Sequence, residues 1–160
     1  MTTVAEIYDF LDGIAPFNTK AEFDNVGLLA GFSTDKVTKI MTALDITEEV
    51  IQEAKEFGAQ LIVSHHPLFF SLKAVSDKDM YGKKAATILR NGMSAICMHT
   101  NLDAATAGVN DKLAKKAGLK NIELLCVEGK YDSGEEYGIG RVGELEKETP
   151  MSCLLYTSRV

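Results

Sequence analysis

The residues best able to do chemistry sit in two short stretches, Ser64-His65-His66-Pro67 and His99-Thr100-Asn101-Leu102-Asp103. Between them they hold all 3 histidines of the chain. Neutral imidazole is the commonest protein ligand for borderline divalent metals, and a carboxylate adds an oxygen donor. Two imidazoles and one carboxylate suit Zn, Mn, Fe or a pair of ions. The candidate ligands are therefore His65, His66 and Asp103. Successive side chains on a strand point to opposite faces, so His65 and His66 do not easily share one ion in regular strand geometry. At a strand end they can reach two ions, or one binds while the other packs. Pro67 biases His66 towards extended backbone. Asp103 has an ordinary alternative, local hydrogen bonding in a turn. His99 is either a further ligand or a group that orients Asp103. Asp45 likewise has two readings: it steadies a histidine or a water at the metal, or it caps the following helix together with Thr47.

Other chemistries find little support. No G-x-x-x-x-G-K-[ST] phosphate loop is present, and no G-x-G-x-x-G opens a helix. No G-x-S-x-G appears, and Ser64 beside His65 is adjacency rather than catalytic geometry. Asp24-Asn25 reads as a turn. Cys97 lies in an apolar strand pattern and reads as a small core residue.

The elements that must position these residues alternate along the chain. Thr3 and Glu6 form a capping-box pattern before a helix that Pro16 ends. Val26–Gly31 is a short strand. Val37–Ile46 is a buried strand, and Thr47 caps a helix over Glu48–Phe57 that Gly58 stops. Leu61–Val63 is wholly apolar, so both its faces must be covered. A helix over about Met80–Arg90, a strand over Ser94–Met98 and a helix over Val109–Ala117 follow. Asn121–Val127 and Tyr137–Leu145 read as strands joined by a hairpin or loop over Gly129–Glu136. After Pro150 a new element begins, with a frayed terminus as the alternative. Strand alternating with helix is the signature of an α/β fold with a mostly parallel sheet flanked by helices. In such sheets ligands collect at the carboxyl ends of strands, where both histidine stretches fall.

Composition narrows the partners. A chain of 160 residues with 46% apolar residues supports a buried core. A formal net charge of −6, with no basic run longer than Lys83-Lys84 or Lys115-Lys116, argues against direct nucleic-acid binding. The start MTTVAEIYDF has no basic lead and no long apolar run, so neither a signal peptide nor a membrane span is expected. With 3 widely spaced cysteines and no C-x-x-C pair, neither a disulfide scaffold nor a zinc ribbon is indicated. A cytoplasmic setting is the natural expectation.

Several segments together carry a family resemblance: Phe23-Asp24-Asn25-Val26-Gly27-Leu28-Leu29-Ala30-Gly31, Ala43-Leu44-Asp45-Ile46-Thr47, Leu61 through Phe70, His99 through Asp103, and Gly138 through Leu145. In order and spacing they resemble the GTP cyclohydrolase 1 type 2 homologs, or Nif-three-like proteins, up to about residue 150. The resemblance implies one Nif-three-like α/β domain over residues 1–160, the N-terminal part of a larger family fold. It implies a dinuclear site of divalent cations, with His65 and His66 each serving one ion and Asp103 as the carboxylate ligand. It also implies a toroidal homohexamer. The activity it suggests is hydrolysis of a small molecule or nucleotide, and the alternative is a non-catalytic metal-binding or assembly protein. The family completes its site with a C-terminal His and a Glu four residues later. This chain has no histidine after His99, so a missing C-terminal portion is expected. A longer family protein that retains that His and Glu should bind metal more tightly than this chain. Equal affinities by calorimetry would refute the expectation.

Overall fold

The computed structural model describes residues 1–158, with side-chain burial assigned through Leu154. Two compact units divide the chain, Met1–Asn101 and a second beginning at Leu102. No helix among the described residues is long and apolar enough to cross a membrane.

In the first unit, α1 (Val4–Ile14) opens on the expected capping box. The Glu6 N–H donates to the Thr3 hydroxyl, and the Thr3 N–H donates to the Glu6 carboxylate. Four strands follow: β1 (Gly27–Ala30), β2 (Ile40–Ala43), β3 (Leu61–Ser64) and β4 (Ser94–Cys97). They form one sheet in the order β1-β4-β3-β2. β2, β3 and β4 are parallel, and β1 joins β4 antiparallel. Parallel neighbours need crossovers, supplied by α2 (Glu48–Phe57) and α3 (Met80–Arg90). Thr47 caps α2 by accepting from the Val50 N–H, and Gly58 ends it with a left-handed φ of 73°. Asp79 caps α3 by accepting from the Gly82 N–H.

Ile62 and Ala95 of the sheet pack with Ile51 and Ala54 of α2 and with Ala85 and Ile88 of α3. Leu61 and Ile96, at the alternate positions, are also fully buried. Both faces of β3 and β4 are therefore covered, and each large apolar side chain removed from water stabilises by about 1.5–3 kcal/mol. Gly31 follows β1 with a φ of 113°, and a Cβ there would fall 2.0 Å from Ser94 Oγ. Only glycine lets the chain pass β4 at that point.

β2 departs from expectation. It is shorter than Val37–Ile46 and is not buried: it lies at the sheet edge, with Ile40 and Leu44 exposed. Its composition was right for a strand, but strand order decides coverage, and order is not written in local pattern.

The boundary between units falls within the short helix α4 (Thr100–Ala104). The second unit holds α5 (Val109–Lys116), β5 (Leu119–Leu124), β6 (Gly129–Lys130), β7 (Glu136–Tyr137), β8 (Arg141–Leu145) and α6 (Met151–Ser158). β5 pairs with β8, and β6 with β7, both antiparallel. The expected strand Tyr137–Leu145 is split at Gly138-Ile139-Gly140. Gly140 has a φ of 73°, and a Cβ at Gly138 would sit 1.9 Å from the Cys126 carbonyl oxygen. α6 begins just after Pro150, and residues 159–160 of the expected new element lie outside the described residues.

Arg141 ties this unit together. Its Nε and Nη2 donate to the two Asp111 carboxylate oxygens at 2.6 and 3.2 Å. Nη1 donates to the Gly138 and Gly140 carbonyls, and Nη2 also to that of Ala105. All the N–H donors of the fork are thereby used. The pair is nearly buried, with side chains 5% and 14% exposed. Hydrogen bonding from Arg141 holds the Asp111 carboxyl below the usual carboxylate range; burial opposes this, and the Ala107 N–H assists. Removing one partner of such a pair leaves a buried charge, at a cost of about 3–5 kcal/mol. Arg141→Ala should therefore lower stability to urea by roughly that amount, and a loss under about 1 kcal/mol would contradict the role. Because the folded-state pKa of Asp111 is depressed, its contribution is full above about pH 4 and fades as pH falls through the folded value. Asp111→Asn should flatten the stability profile in that acid window.

Candidate metal centre

Parallel register brings three strand ends level. Ala43 lies beside Ser64, and Ser64 beside Cys97. The backbone ladder then continues into the exits. The His65 N–H donates to the Ala43 carbonyl, that of His66 to Leu44, and that of Met98 to Ser64. Asp45, His65, His66 and His99 thus leave one edge of the sheet, its carboxyl end.

The three imidazoles meet there. Ring centroids are 5.1 Å apart for His65 and His66, 5.1 Å for His65 and His99, and 5.6 Å for His66 and His99. One donor nitrogen from each lies within 4.8 Å of the other two. The donor nitrogens of two imidazoles on one tetrahedral zinc ion sit about 3.3–3.4 Å apart, so the rings would close by about an ångström to share an ion.

Each ring is oriented through Nδ1 by a group that only accepts. His65 Nδ1–H donates to the Met98 carbonyl at 3.0 Å. His66 Nδ1–H donates to Asp45 Oδ1 at 2.7 Å. His99 Nδ1–H donates to both carboxylate oxygens of Asp24 at 3.0 Å. These acceptors assign a proton to Nδ1 of each ring, which leaves Nε2 as the atom able to offer a lone pair to an ion. Metal-ligating histidines characteristically donate their other ring N–H to a carboxylate or carbonyl. The donor set therefore fits a divalent ion.

Asp24 is the residue that sequence reading passed over. It is 5% exposed. Its carboxylate also accepts from the Thr100 hydroxyl and N–H and from the Asn25 N–H. Burial pushes its carboxyl up, but hydrogen bonds from Thr100, His99 and Asn25 outweigh that and hold it below the usual range. The turn reading covered only the Asn25 contact. The signal was an acid embedded in the Phe23–Gly31 segment, which is apolar apart from Asp24 and Asn25. Asn101, fully buried, completes the frame: its Oδ1 accepts from the His99 N–H, and its Nδ2 donates to the Ala15 carbonyl at 2.7 Å.

Of the two readings of Asp45, the structure shows the histidine contact, while Thr47 provides the helix cap. Asp103 lies on α4 and belongs to the second unit, where its backbone carbonyl accepts from Asn110 Nδ2 at 2.9 Å. Ser64 is no nucleophile: it is buried, and its hydroxyl donates to the His66 carbonyl. Cys97 is core, as expected, with burial pushing its thiol up to about 12.

The fold and this edge define a class: mostly parallel α/β proteins with imidazole donors gathered at strand ends, able to hold a metal ion. A family-wide sequence model described as Duf34/NIF3 (NGG1p interacting factor 3) matches residues 2–157, and the chain belongs to that family. The GTP cyclohydrolase 1 type 2 homolog of Clostridium perfringens is 44% identical over 144 residues, which is 89% of this chain and 54% of that protein. Staphylococcus aureus protein SA1388, a solved structure, superposes with a TM-score of 0.74 at 41% identity, covering 79% of this chain and 36% of its own. Reduced HcgD from Methanocaldococcus jannaschii gives a TM-score of 0.79 at 31% identity, covering 98% of this chain and 59% of its own. The chain spans about half the length of the clostridial relatives it matches, 54% and 56%.

Nitrogen-detected NMR of the imidazoles should show the Nδ1–H tautomer for all three histidines. Asp24→Asn should change the tautomer balance of His99 and weaken zinc binding about 10–100-fold by competition titration. An unaltered His99 spectrum and unaltered affinity would remove Asp24 from the site.

Proposed function

We propose that this chain binds divalent metal through His65 and His66, with Asp103 as the carboxylate donor and His99 as a third imidazole. We further propose that the whole protein uses a dinuclear site of this kind to hydrolyse a small molecule, in the cytoplasm and as a homo-oligomer. The observation that carries the metal reading is the gathering of the three rings, each held at Nδ1 by an acceptor and each offering a nitrogen within 4.8 Å of the other two. The carboxylate role of Asp103 rests on the family resemblance. The names of the clostridial relatives support a nucleotide or similar substrate. Free Cys97, Cys126 and Cys153 support a reducing compartment.

When bound, an ion at such a site polarises a carbonyl or phosphoryl oxygen and lowers the pKa of water. The chain's own groups do the rest. Asp24, Asp45 and the Met98 carbonyl keep the three rings in one tautomer. His66, 43% exposed, meets solvent, while His99, 17% exposed, is the more sheltered donor. Pro67, Phe69 and Phe70 wall the adjoining cleft.

Elemental analysis of the purified protein against a His65→Ala, His66→Ala double variant tests the first step. Metal should be lost with the pair, and equal content in both proteins would end the proposal. Asp103→Asn should weaken the remaining affinity; wild-type affinity would take that carboxylate out of the ligand set. Turnover of a nucleotide panel that stops on adding chelator supports the enzyme. Metal binding without any turnover leaves a metal-handling protein instead.

A further inference from the structure

We propose that the cleft beside His66 and His99 binds a small planar aromatic ring carrying an anionic group, with Lys84 as the partner of the anion. This deepens the hydrolase reading and rests on it for the cleft's purpose. The cleft has a volume of about 400 Å³, within the range of small-molecule sites. It lies wholly in the first unit, between the loop after β3 and the start of α3.

Its apolar lining is dominated by aromatic surface. Phe70 is 56% exposed and Tyr81 39% exposed, and Phe69 and Met80 join them. A contiguous apolar patch rimmed by polar residues marks a binding groove or interaction site. Aromatic faces and a thioether favour a flat ring over a branched chain, because ring stacking and sulfur–ring contacts depend on planarity. The Phe70 ring already stands edge-on near His99, at 6.1 Å between centroids, so a ring resting on it would lie next to the metal-facing imidazoles.

The charge of the ligand follows from Lys84. This half-buried ammonium donates to the Ile46 carbonyl at 2.9 Å and stands 5.3 Å from the Tyr81 ring centre. An ammonium has three donors, and among the described residues no carboxylate pairs with this one. Its neighbour Lys83 is different, with Nζ 2.7 Å from the Glu48 carboxylate. The acid that lines the cleft, Asp45, already accepts the His66 Nδ1–H. A half-buried cation with spare donors beside aromatic walls selects an anion.

The test uses the whole chain, both chelator-treated and zinc-loaded, in calorimetric titrations with phenyl phosphate and benzoate. Inorganic phosphate, cyclohexanecarboxylate and benzyl alcohol serve as comparators. At least one aromatic anion should bind about tenfold more tightly than any comparator. The better of the two tells phosphate from carboxylate. Lys84→Met should weaken that probe about tenfold, and Phe70→Ala by several-fold, with metal content at the wild-type level in both. Benzyl alcohol or cyclohexanecarboxylate binding as well as the aromatic anions would overturn the proposal. So would Lys84→Met binding unchanged, or no aromatic anion binding to either form. Metal content is read separately, so a chain that takes zinc but no probe refutes only this inference. A chain that takes the probe but no zinc refutes only the metal reading.

Discussion

The backbone ladder between β2, β3 and β4 does not stop where the strands do. It runs on through His65, His66 and Met98, whose N–H groups donate to Ala43, Leu44 and Ser64. This places the donor-bearing residues on tied backbone rather than on a free loop. Fixing one residue's backbone costs about 1–2 kcal/mol of entropy. Here the folding of the parallel sheet meets that cost, so a ligand arriving at the edge finds its partners already placed. The buried apolar faces of β3 and β4 are in turn what keep the ladder in register, since a slip by one residue would exchange Ile62 and Ala95 with the side chains packed on the opposite face.

A second layer of contacts acts on the same backbone. The Ser64 hydroxyl donates to the His66 carbonyl at 2.8 Å, and the Cys97 thiol to the His65 carbonyl at 3.1 Å. Cys97 is fitted for this because burial keeps it protonated, and a thiolate could not donate. The small polar residues at the ends of β3 and β4 are therefore part of how the histidine pair is aimed. Neither is a reacting group. The same economy appears at His99, where Thr100 and Asn101 both serve to fix the preceding imidazole, one through Asp24 and one directly.

Much of this was readable from residue order. Helices α1 and α2 follow from caps and stops at Thr3, Pro16, Thr47 and Gly58, all local signals. The apolar strands β3 and β4 follow from continuous hydrophobic runs, and their exits into histidine marked the site. What stayed hidden depends on long-range partners. The exposure of β2 depends on its place at the sheet edge. The importance of Asp24 depends on a contact across 75 positions to His99. The part played by Lys84 depends on α3 and the strand exits bordering one cleft. No periodicity reports such meetings. The split of Tyr137–Leu145 was missed for a different reason, since Gly138-Ile139-Gly140 fits a strand by composition while its backbone must approach Cys126 too closely for a Cβ.

Charge balance links the metal reading to the ligand reading. Asp24 and Asp45 place two carboxylates behind the three imidazoles. One divalent ion at the edge would neutralise that pair. A second ion would leave an excess of positive charge in a partly sheltered place, where unbalanced charge is costly. Further oxygen donors would then come from water or from an anionic ligand. With Lys84 adding positive charge to the neighbouring cleft, a dinuclear site would favour anions more strongly than a mononuclear one. The number of ions held and the charge of the ligand accepted are thus one electrostatic question, and a change in either should shift the other.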